Sequence, residues 1–396
     1  MTPRPDSSLG LSSEPSTSGS GEGEPGSAPP TTAELSALPS KVILTGAGGW
    51  LGRRLVDALT TGLTGVPPFD QPTELAELRL LYHDADRAQG APSAPSRAQV
   101  LHGDLQREDT RRALLKGAEG ALLIHTAGVI HPRRVRDFDR VNHVATAELL
   151  KEAAAQGVRR AVVISSNSPI GCNPHAEHRF DEDAPFDPYL GYGVSKMAME
   201  RAVRSIEGAG ALEAVIVRPP WFYGPYQPPR QTLFFEMIRR GRAPIVGSGE
   251  NRRSMVYIDN LCQGVLRAAR VPAARGRVYW IADAEAYTMN QIIGTVAELM
   301  ESELGYEVSP RRLRLPHAVG ELATLADRSL QALGIYQQKL HVLGEMNKHI
   351  AVSVARARRE LGYEPTVSLR EGMRQSLLYC VEQGLLPKPR GAARWG

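Results

Sequence analysis

The chain has 396 residues, 42% hydrophobic and 23% charged, ordinary values for a globular protein with a large core. Lys and Arg exceed Asp and Glu by only 47 to 43, and no basic run is interleaved with aromatics, so nucleic acid is not the expected partner. The three cysteines, Cys172, Cys262 and Cys380, are isolated and lack metal-ligand spacing, which argues against a disulfide scaffold or a metal site, and no run approaches the roughly 18 apolar residues of a membrane span.

Residues 1–40 are rich in Ser, Pro, Gly, Thr and Glu and cannot bury enough apolar surface to offset their ordering entropy; a disordered tail is expected there. The N-terminus shows no apolar leader segment, so the expected compartment is reducing, the cytoplasm. From Lys41 short apolar runs alternate with helical periods. Strands are expected at 41–45, 78–82, 98–102, 121–125, 160–165, 212–217 and 277–281, and helices at 50–62, 107–116, 137–156, 190–208 and 259–270. Strands such as Ala121-Leu122-Leu123-Ile124 are apolar on both faces, the pattern of a parallel sheet covered on both sides. The stretches 63–76, with Pro67, Pro68 and Pro72, and 90–97 read as surface insertions.

After Arg218 an aromatic, proline-rich loop, Pro219 to Pro229, precedes a helix at 231–240. Thr288-Met289-Asn290-Gln291 has the form of a capping box that starts a helix to 303, and longer helical patterns occupy 317–346, 353–362 and 369–384. This part reads as a mostly helical lobe against the C-terminal ends of the strands, where open α/β sheets bind ligands.

Three stretches carry chemistry. In Lys41-Val42-Ile43-Leu44-Thr45-Gly46-Ala47-Gly48-Gly49-Trp50-Leu51-Gly52, a strand enters glycines at 46, 49 and 52 and then a helix, a turn that lets a pyrophosphate approach a helix N-terminus. In Tyr192-Gly193-Val194-Ser195-Lys196 a spacing of four puts phenol and ammonium on one helix face. A free tyrosine titrates near pH ~10; a neighbouring Lys⁺ favours the phenolate and is expected to lower that value, so that Tyr192 can act as general acid or base. Ser165-Ser166 closes the strand at 160–165, and either hydroxyl could serve the same substrate oxygen, with Asn167 next in line.

With these pieces in place, the chain from Lys41 to about 385 resembles the extended short-chain dehydrogenase/reductases, also called the NAD-dependent epimerase/dehydratase family. The matching motifs stand in the family's order: Thr45 to Gly52, Gly103-Asp104-Leu105, His125-Thr126-Ala127-Gly128, Val141-Asn142, Ser165-Ser166, Tyr192 to Lys196, Arg218-Pro219 with Tyr223-Gly224-Pro225, and Val256 to Asn260. The resemblance implies an α/β fold, a Rossmann-type doubly wound parallel sheet. The NAD(P)-binding and catalytic domain would span 41–218, with the strand near 277–281 returning to the sheet. Residues 219–396 would form a smaller, mainly helical substrate-binding lobe. It implies Ser166, Tyr192 and Lys196 as catalytic residues. Cofactor contacts would come from Gly46, Gly49, Trp50, Leu51, Gly52, Asp84, Asp104, Leu105, Ala127, Gly128 and Pro219, together with Tyr192 and Lys196. Substrate contacts would come from Ser165, Asn167, Tyr223 and Arg253. Asn142 is read as an amide tying elements together and Asp259 as a helix N-cap. A homodimer through the helices at 137–156 and 190–208 is the family's usual assembly.

Two departures shape the expected activity. The second strand ends in Leu81-Tyr82-His83-Asp84, with His83 where an acid would mark NAD or a base NADP, so either cofactor fits. No acidic pair follows Ser166 in Ser166-Asn167-Ser168-Pro169, which disfavours the dehydratases. The extra helical pattern at 317–346 and the aromatic loop at 221–226 favour the 3β-hydroxysteroid dehydrogenase and dihydroflavonol reductase branch, acting on a bulky, largely apolar small molecule. The alternative is a nucleotide-sugar epimerase with tightly bound NAD, in which Arg253 would meet the diphosphate. A third reading, a non-catalytic cofactor sensor, leaves the acid/base tyrosine without a use.

Overall fold

The computed structural model describes residues 35–88 and 95–388. Its first half runs β1 (Lys41–Thr45), α1 (Trp50–Thr60), β2 (Glu77–Tyr82), α2 (Asp84–Ala88), β3 (Ala98–His102), α3 (Glu108–Leu115) and β4 (Leu122–His125). Then come α4 (Arg136–Phe138), a π-helical segment at Asp139–Val144, α5 (Ala145–Ala155), β5 (Arg160–Ile164), α6 (Leu190–Gly208) and β6 (Glu213–Arg218). The remainder comprises β7 (Trp221–Tyr223), α7 (Pro229–Arg239), β8 (Pro244–Val246), β9 (Arg252–Tyr257), α8 (Ile258–Arg270), β10 (Val278–Trp280), β11 (Ala286–Thr288) and α9 (Met289–Glu298). It closes with β12 (Leu313–Leu315), α10 (His317–Ala332), α11 (Gln338–Glu345), α12 (Ala355–Leu361) and α13 (Leu369–Glu382).

Seven strands pair in the order β10-β6-β5-β4-β1-β2-β3, all parallel. Period-two alternation divides their side chains between two cores. Val42, Leu44, Leu80, Ile124, Val162 and Val217 face a core shared with Leu55 and Leu59 of α1 and Leu261 and Val265 of α8. Ile43, Leu81, Leu123, Val163 and Ile216 face a second core, filled by Leu149 and Leu150 of α5 and Met199 and Val203 of α6. From β1 the chain proceeds to β2 and β3 on one side and returns to β4 on the other, which opens a crevice between the C-terminal ends of β1 and β4. The expected return strand is β10, which pairs with β6. Two smaller sheets, β11-β9-β7 and β12-β8, carry the C-terminal half.

Three expectations need correction. The stretch 63–76 is not a mere surface insertion: Leu63, Val66 and Phe69 are buried in the first core, and the Arg267 and Arg270 guanidiniums lie 5.8 and 5.5 Å from the Phe69 ring. The end of the expected tail, 35–40, is docked. Leu35 is buried, and Ser36 donates its amide to the Arg270 carbonyl and accepts from the Arg270 guanidinium. The single helix expected at 317–346 is two, because Gly334, at φ 79°, ends α10 in a Schellman motif: the amides of Gly334 and Ile335 donate to the carbonyls of Gln331 and Leu330. Residues 1–34 of the tail, and 89–94, which include the start of the second insertion, lie outside the described residues. The capping box is as read, with Thr288 and Gln291 each bonding the other's backbone amide.

Candidate active site

The glycine turn forms the floor of the crevice. Gly46 has φ 73°, and a Cβ there would stand 2.7 Å from the Ala127 amide nitrogen; a Cβ on Gly52 would stand 2.0 Å from the Gly46 carbonyl oxygen. These two glycines press the turn against β4 and α1 against the turn. Gly49 is exposed and caps α1 without any side-chain bond, so the first-turn amides of Trp50, Leu51 and Gly52 keep the positive end of the helix open. On the other wall, a side chain on Gly128 would come within 3.1 Å of Asn142 Oδ1 and 3.7 Å of Lys196 Nζ. An uncapped helix end facing a wall stripped of side chains fits a dinucleotide diphosphate. Leu51 and Leu105 are buried beneath this surface, and Ala127 is half-buried.

The acidic residue at the turn is Asp86 rather than Asp84. Asp86 Oδ2 accepts the His83 amide at 3.0 Å and would lie 2.3 Å from a Cβ on Gly48, whereas Asp84 is exposed at the start of α2. A single turn of helix after β2 brings the Asp86 carboxylate back to the turn, a placement not expected from the sequence. Asp104 holds a turn, accepting from the Gln106 amide and side chain at 2.9 and 3.0 Å. Trp50 works as a latch: its Nε1 donates to the Pro225 carbonyl at 2.6 Å and its ring lies 4.7 Å from Phe222. The loop after β7 is thus fastened to α1. Asp259 is not an N-cap; it lies inside α8 and takes both Nε and Nη2 of Arg54, at 2.5 and 2.7 Å.

Across the crevice α6 presents Tyr192 and Lys196. The helix begins at Leu190 with φ 53°, a conformation uncommon outside glycine that turns the chain sharply into the helix just before Tyr192. Asn142, in the π-helical segment, receives the Val129 amide on Oδ1 and donates through Nδ2 to the Val129 carbonyl and Ser195 Oγ. Such segments occur often at functional sites. The expected lowering of the phenol by Lys196 is not what the geometry gives. Burial pushes Tyr192 up to about 12, with the neighbouring Ser166 hydroxyl pulling the other way. Lys196 Nζ instead donates to the Ile164 carbonyl at 2.9 Å, and burial pushes the ammonium down to about 8, opposed by Glu200. Both groups are held where charge is costly, so Tyr192 keeps its proton at neutral pH.

The two candidate serines separate. Ser165 Oγ donates to Glu200 Oε1 at 2.6 Å, and that carboxylate also takes Arg218 Nε and Nη2 at 2.9 and 2.7 Å, a pair almost without solvent exposure. The Ser165 hydroxyl is therefore spent on Glu200. Ser166 faces the phenol, and its hydroxyl lies 3.4 Å from Asn167 Oδ1. Pro219 follows β6 and is buried. Tyr223 is likewise engaged within the protein: its phenol donates to Asp283 Oδ2 at 2.8 Å, and the residue is 3% exposed. Arg253 donates to the Glu345 carbonyl at 2.8 Å and stacks over Trp221, leaving it 7% exposed.

His125, at the end of β4, shares Nδ1 with Thr45 Oγ1 at 2.7 Å and Nε2 with Thr146 Oγ1 at 2.9 Å. Burial, with Lys196 adding, pushes it down to about 3. The unfolded chain therefore takes up this proton near pH ~6.5 while the folded chain refuses it, so stability is complete above that pH and falls as pH drops toward 3, by about 1.4 kcal/mol per unit. Urea titrations at pH 7.5 and 5.0 should show the loss, and His125→Gln should flatten it.

Sequence patterns missed the wall beyond Tyr192. Its ring lies 5.7 Å from Phe138, which meets Tyr336 edge-on at 5.3 Å, and the Tyr336 phenol bonds His131 Nδ1 at 2.7 Å. Gln331 of α10 reaches over to accept the Gly191 amide at 3.0 Å. Arg230, near the start of α7, pairs with no carboxylate among the described residues and acts electrostatically on Tyr192 and His131. These residues come from four separate segments, so no local spacing signals them.

Comparison with known proteins gives the family of the chain. The model of the NAD dependent epimerase/dehydratase family matches residues 42–282. An uncharacterized protein of Sinorhizobium fredii is 49% identical over 358 residues, covering 87% of this chain and 96% of its own. A 3 beta-hydroxysteroid dehydrogenase/Delta 5-->4-isomerase of Mycobacterium tuberculosis is 28% identical over 370 residues, 88% of this chain and 92% of that protein. A dTDP-glucose 4,6-dehydratase of Streptomyces venezuelae, solved with NAD bound, superposes with a TM-score of 0.65 at 23% identity, over 86% of this chain and 97% of its own. The chain therefore belongs to the NAD dependent epimerase/dehydratase family and is an NAD-dependent enzyme of the oxidoreductase and epimerase kind.

Proposed function

We propose that the enzyme interconverts a hydroxyl and a keto group on a bulky, largely apolar small molecule. Tyr192 moves the proton at the substrate oxygen, Ser166 orients that oxygen, and Lys196 holds the cofactor ribose. The nicotinamide, when bound at the glycine turn, supplies or takes the hydride. The observation that carries this reading is the aromatic wall of Phe138 and Tyr336 directly beyond the Tyr192 ring, a lining suited to an apolar ligand. Arg253, which a nucleotide sugar would need for its diphosphate, is already committed to the Glu345 carbonyl and the Trp221 face. Asp86 at the turn favours NAD over NADP, since its carboxylate would repel a ribose 2′-phosphate.

A second reading, a nucleotide-sugar epimerase, is favoured by one feature, the cation of Arg230 acting on Tyr192 without a carboxylate partner among the described residues. Thermal-shift measurements separate the two. NAD should stabilise the protein more than NADP. With NAD present, hydroxysteroids or flavonoid-like ketones should add a further shift while UDP- and dTDP-sugars should not. Stabilisation by a nucleotide sugar alone would overturn the preferred substrate class.

A further inference from the structure

Helix α10 is amphipathic in the inverted sense. The face it turns toward the protein carries Gly320, Ala323, Asp327 and Gln331. Asp327, with no exposure at all, accepts His341 Nδ1 at 2.9 Å and Gln331 Nε2 at 3.0 Å. The face it turns outward carries Leu322, Leu325 and Leu333, which are 64%, 61% and 76% exposed. The inward polar groups bond one another through Asp327 Oδ2, while Asp327 Oδ1 is left without a partner, so the leucines take the outer face. A helix usually buries its leucines and hydrates its aspartate. Leu313, Ile335 and Val342 on the flanking segments are exposed as well, so six of the twelve large hydrophobic residues exposed among the described residues fall between Leu313 and Val342 in the chain. An apolar patch of this kind marks an interaction surface.

What covers it is indicated by charge. Arg311, Arg312, Arg314, Arg328 and Lys339 are all exposed in the same region, and none pairs with a carboxylate among the described residues; Arg312 and Arg314 donate only to the carbonyls of Ser309, Arg311 and Ser248. The acids nearby are spoken for: Asp327 points inward, and Glu321 is taken by Lys348 and Asn347. A second copy of this chain, packed symmetrically on the patch, would set these cations against themselves. A surface of exposed leucines flanked by unpaired arginines instead complements the acyl boundary and anionic headgroups of a bilayer. No helix among the described residues is long and apolar enough to cross a membrane, so contact would be on one face only.

We propose that the α10–α11 hairpin, with the β12 arginines, seats the enzyme on an anionic lipid surface. The proposal rests on this surface and not on the substrate class, so the two can fail separately. The test is sedimentation of the full chain with vesicles of phosphatidylcholine, and of phosphatidylcholine with phosphatidylglycerol. The protein should associate with the anionic vesicles at low salt and be released by high salt. Leu322→Ser/Leu325→Ser should weaken association about tenfold or more, and Arg311→Ser/Arg312→Ser/Arg314→Ser about a hundredfold. All variants should keep their NAD-induced thermal shift, which shows that they fold. Failure of the parent protein to sediment with anionic vesicles, or leucine variants that bind as it does, would overturn the proposal. So would a lipid-free dimer abolished by the leucine substitutions, since a second copy would then be the occupant.

Discussion

Replacing Tyr192 by phenylalanine should leave NAD binding intact and lower turnover by a factor of about 10²–10⁴, the usual contribution of a positioned acid/base group. The ring would keep its place against Phe138, 5.7 Å away, so the loss isolates the hydroxyl. Burial keeps that hydroxyl protonated at neutral pH, with Tyr192 pushed up to about 12, which equips it to donate to a carbonyl oxygen in the reduction direction. Steady-state turnover together with cofactor titration checks both halves of the expectation. Undiminished turnover would mean that another group moves the proton.

Arg218→Leu should cost about 3–5 kcal/mol of folding stability, because it strands the Glu200 carboxylate in the core. The pair is 1% and 0% exposed in its side chains, and Glu200 also holds Ser165 beside the site. The double variant Glu200→Leu/Arg218→Leu should recover most of the loss, since two apolar groups replace two charges that had each lost their water. Urea unfolding of the three proteins measures this. An Arg218→Leu variant as stable as the parent would show that the pair is not insulated from solvent in solution.

The sheet was legible because parallel strands buried on both faces are short and largely apolar, and Val42 to Leu44, Leu122 to Ile124 and Ala161 to Ile164 have no other use. The glycine turn was legible for a related reason: Gly46 and Gly52 stand where any side chain collides with backbone. Residues chosen by spacing alone fared less evenly. Tyr192 and Lys196 share α6 as their interval of four requires, yet the interval says nothing of Glu200, one turn further on, or of the Ile164 carbonyl that the ammonium meets. Ser165 and Ser166 are neighbours in sequence and diverge in role, because the first finds a carboxylate and the second finds a phenol. Tyr223 and Arg253 carry the right chemistry for a ligand but spend it on Asp283 and Glu345.

By itself, then, the sequence determined the order of strands and helices, the glycine turn and the helix that carries Tyr192, because each depends on local periodicity or on the steric limits of one residue. Only the tertiary structure decided that Asp86 rather than Asp84 lies at the turn, that Lys196 leaves Tyr192 in its protonated state, and that α10 buries Asp327 and turns its leucines outward. Those outcomes depend on which polar groups find partners across long separations in the chain, and a hydrogen bond such as His341 to Asp327, or Gln331 to the Gly191 amide, leaves no period in the sequence by which it could be read.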